Sequence, residues 1–208
     1  LCNFVPEELV LAAGAIPIRL DGGDLAAADR GESRFIRDAC GAVKSLIGLL
    51  DAKEGLFGHI DLLVIPAACD AKRKVAGVVA ESCTTHVLHL PTCKDEAHQQ
   101  RAWLVEVREL KGRLEALTGR RMGTAQLRSA IGLLTARQQA YRQLLELRQR
   151  HPGVLSGRQM MTVAAASFVD DTARWTEQVR ELCATLTREA AYGEPQRLPR
   201  VMLTGAPL

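Results

Sequence analysis

Three cysteines stand where the sequence opens a helix: Cys2 ahead of NFVPEEL, Cys40 ahead of GAVKSLIGLL, and Cys69 ahead of DAKRKV. A helix N-terminus presents free N–H groups and a partial positive charge, and both favour an anion such as a thiolate. Thiolates gathered at such ends are what an iron–sulfur cluster requires. The other cysteines, Cys83, Cys93 and Cys183, carry weaker signals. None of the six forms a C-x-x-C pair, which argues against zinc and thioredoxin-like sites.

The elements that must hold these thiols alternate between short helices and apolar strands. Pro6 can open a helix, Glu7 and Glu8 suit its first turn, and Gly14 can close it. AIPIRL (15–20) reads as a strand, and residues 41–51 as a helix carrying Val43, Leu46, Ile47 and Leu50. DLLVIPA (61–67) is a near-continuous apolar run, expected of a strand covered on both faces. A helix over 70–81 and a second buried strand, THVLHLP (85–91), follow. This alternation predicts a parallel sheet, where sites gather at the carboxyl ends of the strands. Cys69 lies just past one such end and Cys93 just past the next.

From residue 96 the apolar period becomes helical. Trp103, Leu104, Val107, Leu110, Leu114 and Leu117 step by three and four, with Gly119 as a stop. A second helix is expected from about Thr124 to Arg150, with Leu127, Ile131, Leu134, Tyr141, Leu144 and Leu145 on one face. HPG (151–153) breaks it, Ser156 can cap a short helix to Ala166, and Asp170 or Asp171 can cap another carrying Trp175, Val179, Leu182 and Leu186. GEPQRLP (193–199) reads as a linker and RVMLTG (200–205) as an opening strand. The expected class is therefore α/β: a parallel-sheet, Rossmann-like domain over 1–95, a helical segment over 96–192, and a linker with the first strand of a truncated second α/β domain over 193–208. With no methionine at Leu1 and an apolar strand just begun at the end, the sequence reads as part of a longer protein.

Composition sets bounds without naming an activity. A hydrophobic share of 47% and a charged share of 25% in 208 residues describe an ordinary soluble chain. A net charge of +3 is too small to argue for nucleic acid or a membrane surface. Residues 1–95 carry 10 basic and 13 acidic side chains, and 96–190 carry 15 and 10, an arginine excess expected on solvated helix faces. No segment approaches the ~20 apolar residues of a membrane helix, and no secretory leader is visible. Six irregularly spaced cysteines do not suit a secreted disulfide scaffold, so reduced thiols in the cytoplasm are expected. Neither G-x-x-x-x-G-K-[ST] nor G-x-G-x-x-G is present, so ATP or a dinucleotide is not expected to bind by those means.

CNFVPEELVLAAGAIPIRL, CGAVKSLIGLL, DLLVIPAACDAKRKV, VLHLP and LRQRHPGVLSGRQM together resemble the 2-hydroxyacyl-CoA dehydratase/benzoyl-CoA reductase family, which includes the double-cubane cluster proteins. The resemblance spans nearly the whole chain and falls in the family's order. It implies an iron–sulfur subunit with a [4Fe–4S] cluster, or an [8Fe–9S] cluster in the double-cubane branch. It also implies an ATP-dependent iron–sulfur activator as electron donor, a second homologous subunit or homodimer, and an acyl-CoA substrate. The implied chemistry is loss of water from the thioester, or its reduction, driven by one low-potential electron.

Carried over by position, Cys2 and Cys40 match the family's first two cysteine motifs, and Cys69 matches the C-D motif that serves as a ligand in some branches. These three are the expected cluster and metal ligands; no catalytic side chain is assigned. Cys93 departs from the family pattern, and Cys83 and Cys183 read as packing residues. His86, His89, His98 and His151 read as core or surface histidines. Asp70 is expected to cap helix 70–81, Lys72, Arg73 and Lys74 to offset cluster charge, meet the activator or form an exposed turn, and Ser45 to face the site. The rival readings are a double-cubane cluster reductase of small substrates and a non-catalytic electron-transfer module with the same fold.

Overall fold

The computed structural model describes residues 4–20, 22–53, 55–190 and 201–202. Helix dominates, and the described strands form one two-stranded parallel sheet. The chain divides into two compact units, with the boundary between Leu127 and Arg128.

In the first unit, α1 (Glu7–Ala12) starts after Pro6 with Glu7 and Glu8 in its first turn. It closes as the sequence predicts. Gly14 at φ +74 lets its own N–H reach Leu11 O at 2.9 Å, and that of Ala15 reach Val10 O at 3.1 Å. This paired C-terminal bonding needs the left-handed glycine. Residues 15–20 join no ladder, against the strand expectation. Pro17 lacks a donor for a ladder, Ile16 is 80% exposed, and Arg19 pairs back to Glu7 at 3.4 Å.

Next come α2 (Leu25–Glu32) and α3 (Gly41–Ala52). The apolar pattern gives no sign of α2, although Asp24 caps it by accepting the Ala27 N–H at 2.7 Å. The two helices pack with almost no side chain between them. A methyl group at Gly31 would stand 2.1 Å from Lys44 O, and one at Gly48 2.0 Å from Ala27 O.

A 3-10 turn (Gly55–His59) leads to β1 (Leu63–Pro66), α4 (Asp70–Val79) and β2 (Thr85–Leu88). The strands pair in parallel with Leu63 opposite Thr85 and Pro66 opposite Leu88. Alternation sends Leu63, Ile65 and Val87 to one face. There they join Val43, Leu46, Ile47 and Leu50 of α3 and Val75, Ala76 and Val79 of α4 in one core. The strands are shorter than expected, and β2 is only half-buried except at Leu88. Helix α5 (Ala97–Thr118) is ended by Gly119 at φ +68. From it, the Glu106 carboxylate accepts the His89 N–H at 2.9 Å.

Helix α6 (Thr124–Arg150) matches the expected span. In the second unit its Ala140, Leu144 and Leu147 pack with Leu155, Met160 of α7 (Gly157–Ala166), and Trp175, Val179 and Leu186 of α8 (Thr172–Ala190). Ser156 caps α7 by accepting the Gln159 N–H at 3.2 Å, while Gln159 Oε1 accepts the Ser156 N–H at 2.9 Å. Asp171 caps α8 through the Arg174 N–H at 2.9 Å. The apolar stripes are narrower than their period suggested: Leu104, Leu117, Ile131 and Leu145 are exposed. The expected linker over 193–199 lies outside the described residues, as does most of the strand over 200–205. Among the described residues no helix is long and apolar enough to cross a membrane.

Candidate functional site

Cys40 is the N-cap residue of α3 and Cys69 that of α4. Their carbonyls start the helices, Cys40 O accepting from Val43 N at 2.9 Å and Lys44 N at 3.2 Å, and Cys69 O from Arg73 N at 3.0 Å. Neither thiol spends itself on a capping bond, and both residues are exposed. A serine or aspartate would cap better. Cysteine at both positions sets aside capping and leaves a soft, polarizable donor at a positive helix end.

Side-chain bonds tie the C-terminal ends of these two helices together. Asp51, in the last turn of α3, accepts from Ser82 Oγ just past α4 at 2.8 Å. Arg34 ties the same place, reaching Asp51 and Glu81 at 2.5 Å each. The two helices share a core and meet at their C-terminal ends, with Cys40 and Cys69 at the opposite end of each helix. Cys69 lies just past the carboxyl end of β1. The strand stops at Pro66, Ala67 N donates to Leu88 O at 2.9 Å, and the chain turns straight into Cys69. Cys2, the third expected ligand, lies outside the described residues. Among the described residues no three His, Cys, Asp or Glu side chains converge as a metal-binding group. Cys40 and Cys69 are exposed, unpaired thiols, a donor type that suits iron–sulfur chemistry.

The neighbouring residues sort differently from the sequence expectation. Ser45 does not face the site. It is fully buried, and its Oγ accepts the N–H groups of Gly23 and Asp24 at 3.2 Å each. The hydroxyl therefore pins the loop before α2, since those amides sit opposite it across the helix crossing. Asp70 is not the cap, because Cys69 occupies that position; Asp70 stands in the first turn and pairs with Lys74 at 3.5 Å. Lys72 is buried instead of lying on an exposed turn, whereas Arg73 and Lys74 are exposed.

Cys83 and Cys183 do pack. Each lies half-buried against a core, and burial pushes both thiols' pKa values up, away from the thiolate. Cys93 is half-buried beyond β2. His86 is a departure from a satisfied histidine: its Nε2 is buried with no hydrogen-bond partner among the described residues. Burial lowers its pKa below the ordinary histidine value, and Arg113 and His89 act in the same direction against Glu106 and Glu109.

Lys44 has a place in this site that its sequence position does not announce. It is 7% exposed on an otherwise apolar face, where its Nζ donates to Arg37 O and pairs with Glu32 at 3.3 Å. A lone lysine inside GAVKSLIGLL is the signal that could have found it, since a charge in an apolar run must find partners.

Comparison with known proteins adds the family. The family model described as 2-hydroxyglutaryl-CoA dehydratase, D-component, matches residues 2–208. Among curated relatives, the Escherichia coli (strain K12) protein named "Putative dehydratase subunit YjiM" is 29% identical over 212 aligned positions, covering 100% of this chain and 55% of the relative. The beta subunit of (R)-2-hydroxyglutaryl-CoA dehydratase from Acidaminococcus fermentans is 28% identical over 184 positions, 86% of this chain and 48% of the relative. A benzoyl-CoA reductase subunit from Thauera aromatica is 22% identical over 192 positions, 90% of this chain and 49% of the relative. The chain spans about half the length of the curated relatives it matches.

Proposed function

Because the chain belongs to the 2-hydroxyglutaryl-CoA dehydratase D-component family, we propose that it is the cluster-holding part of a radical 2-hydroxyacyl-CoA dehydratase-like enzyme. Cys40 and Cys69, with Cys2, are the proposed ligands of a [4Fe–4S] cluster. The observation that carries this reading is that Cys40 and Cys69 are both exposed and both stand at a helix N-terminus without a capping bond. The proposal extends to a Rossmann-like character of the first domain, a second α/β domain supplying a further ligand, a homologous partner subunit, and a cytoplasmic setting that keeps the thiols reduced. Relatives named as subunits support the partner.

When bound, the cluster supplies one low-potential electron, received from an ATP-dependent iron–sulfur activator, for loss of water from an acyl-CoA thioester or its reduction. The work of this chain is to hold and orient. Cys40 and Cys69 present their thiols at the N-termini of α3 and α4, where the helix ends favour anionic ligands. Ser45 fixes the loop preceding α2, and the Arg34 bridges to Asp51 and Glu81 tie the far ends of α3 and α4.

The test is Cys40→Ser and Cys69→Ser in the anaerobically purified full-length protein. Each variant should lose bound iron and dehydratase activity together. Retention of stoichiometric iron in both variants overturns the assignment.

A further inference from the structure

Lys44 follows Cys40 by four residues on α3, so its side chain leans back along the helix toward the cysteine. Instead of reaching solvent, it ends beneath the turn that delivers Cys40. The Ala39 N–H closes that turn on Ile36 O at 3.0 Å, and Arg37, inside it, directs its carbonyl at Lys44 Nζ. The ammonium also meets the Glu32 carboxylate at 3.3 Å, and only 9% of the Lys44 side chain is exposed. One buried cation thus joins three points: the end of α2, the 36–39 turn, and the first turn of α3. A buried ammonium is costly unless its donors are used. Here they are used on the short segment that leads into Cys40.

We propose that Lys44 is a positioning residue for Cys40, clamping the 36–39 turn so that the thiol stays at the helix N-terminus. This rests on the reading of Cys40 as a cluster ligand. The carbonyl bond is the operative contact, because Arg37 belongs to the turn itself, whereas Glu32 is 47% exposed at its side chain and is reached across the helix pair.

The test uses the full-length protein, with K44M, K44R, E32Q and C40S compared. K44Q is run beside K44M so that one misfolded variant does not decide the result. In metal-free protein, K44M or K44Q should raise hydrogen exchange at the Ala39 amide about tenfold, the factor expected for a lost charge-assisted bond under local opening. The Arg73 amide, bonded to Cys69 O, should not change. In cluster-loaded protein the same variants should release iron to a chelator faster and alter the electron paramagnetic resonance signal of the reduced cluster. K44R should restore both, and E32Q should change both less than K44M does. A K44M protein with wild-type Ala39 exchange and wild-type spectrum overturns the proposal, even while C40S loses iron. Full iron in C40S overturns the underlying ligand reading, and the proposal with it.

Discussion

Alanine in place of glycine should have opposite signs at two helix positions of the first unit. Gly48 lies in α3, where an added methyl would sit 2.0 Å from Ala27 O and 2.8 Å from its carbonyl carbon. An ordinary carbon-to-carbonyl contact is about 3.3 Å, so α2 and α3 must separate by roughly 1.3 Å. The obstructing atoms are backbone and cannot rotate aside. Forced separation of this kind costs about 1–3 kcal/mol, and the loss extends along the crossing because Gly31 makes a second close approach at 2.1 Å. Alanine would recover about 1 kcal/mol of helix propensity, which leaves Gly48→Ala net destabilising by up to about 2 kcal/mol. Gly77 lies in α4 with nothing within 4 Å of the added methyl, so there the propensity gain acts alone. Gly77→Ala should stabilise by about 0.5–1 kcal/mol. In urea unfolding the two midpoints should therefore part by about 1 M, taking a slope near 2 kcal/mol per M. If Gly48→Ala unfolds at or above the Gly77→Ala midpoint, the close packing of α2 on α3 is wrong.

Ser45→Ala should cost about 1–3 kcal/mol, since two amides lose their acceptor, read as a lowered urea midpoint. Ser156→Ala removes the reciprocal cap of α7 and should cost about 1 kcal/mol in thermal unfolding. His86 makes stability pH-dependent: its folded pKa is depressed, so the unfolded chain binds the proton more readily. Its contribution is present above the ordinary value of about 6.5 and is lost as pH falls through the folded pKa. Unfolding measured between pH 7.5 and 5 should show that decline, and His86→Phe should flatten it.

The helical half is legible because its signals are local. Ser156, Asp171 and Gly119 cap or stop their helices where the sequence places them. A long apolar period also marks α6 from Thr124 to Arg150. What escapes depends on tertiary contact. LAAADRGE has no broad apolar stripe to announce α2, which is held through Ala27 and the bare backbone at Gly31 and Gly48. AIPIRL has strand composition but no partner strand, and Pro17 cannot supply a donor. At the site, the helix-opening positions of Cys40 and Cys69 are readable from the sequence. The roles of Ser45 and Lys44 are not, because both act on loops that composition does not place.

Iron and acid-labile sulfide content, measured with electron paramagnetic resonance on anaerobically purified full-length protein, tests the central claim most directly. The account predicts about four irons per chain with matching sulfide, and about eight would move the cluster to the double-cubane type. Protein without iron, under conditions that load a known cluster protein, would contradict the account and leave Cys40 and Cys69 as exposed thiols on a packed fold.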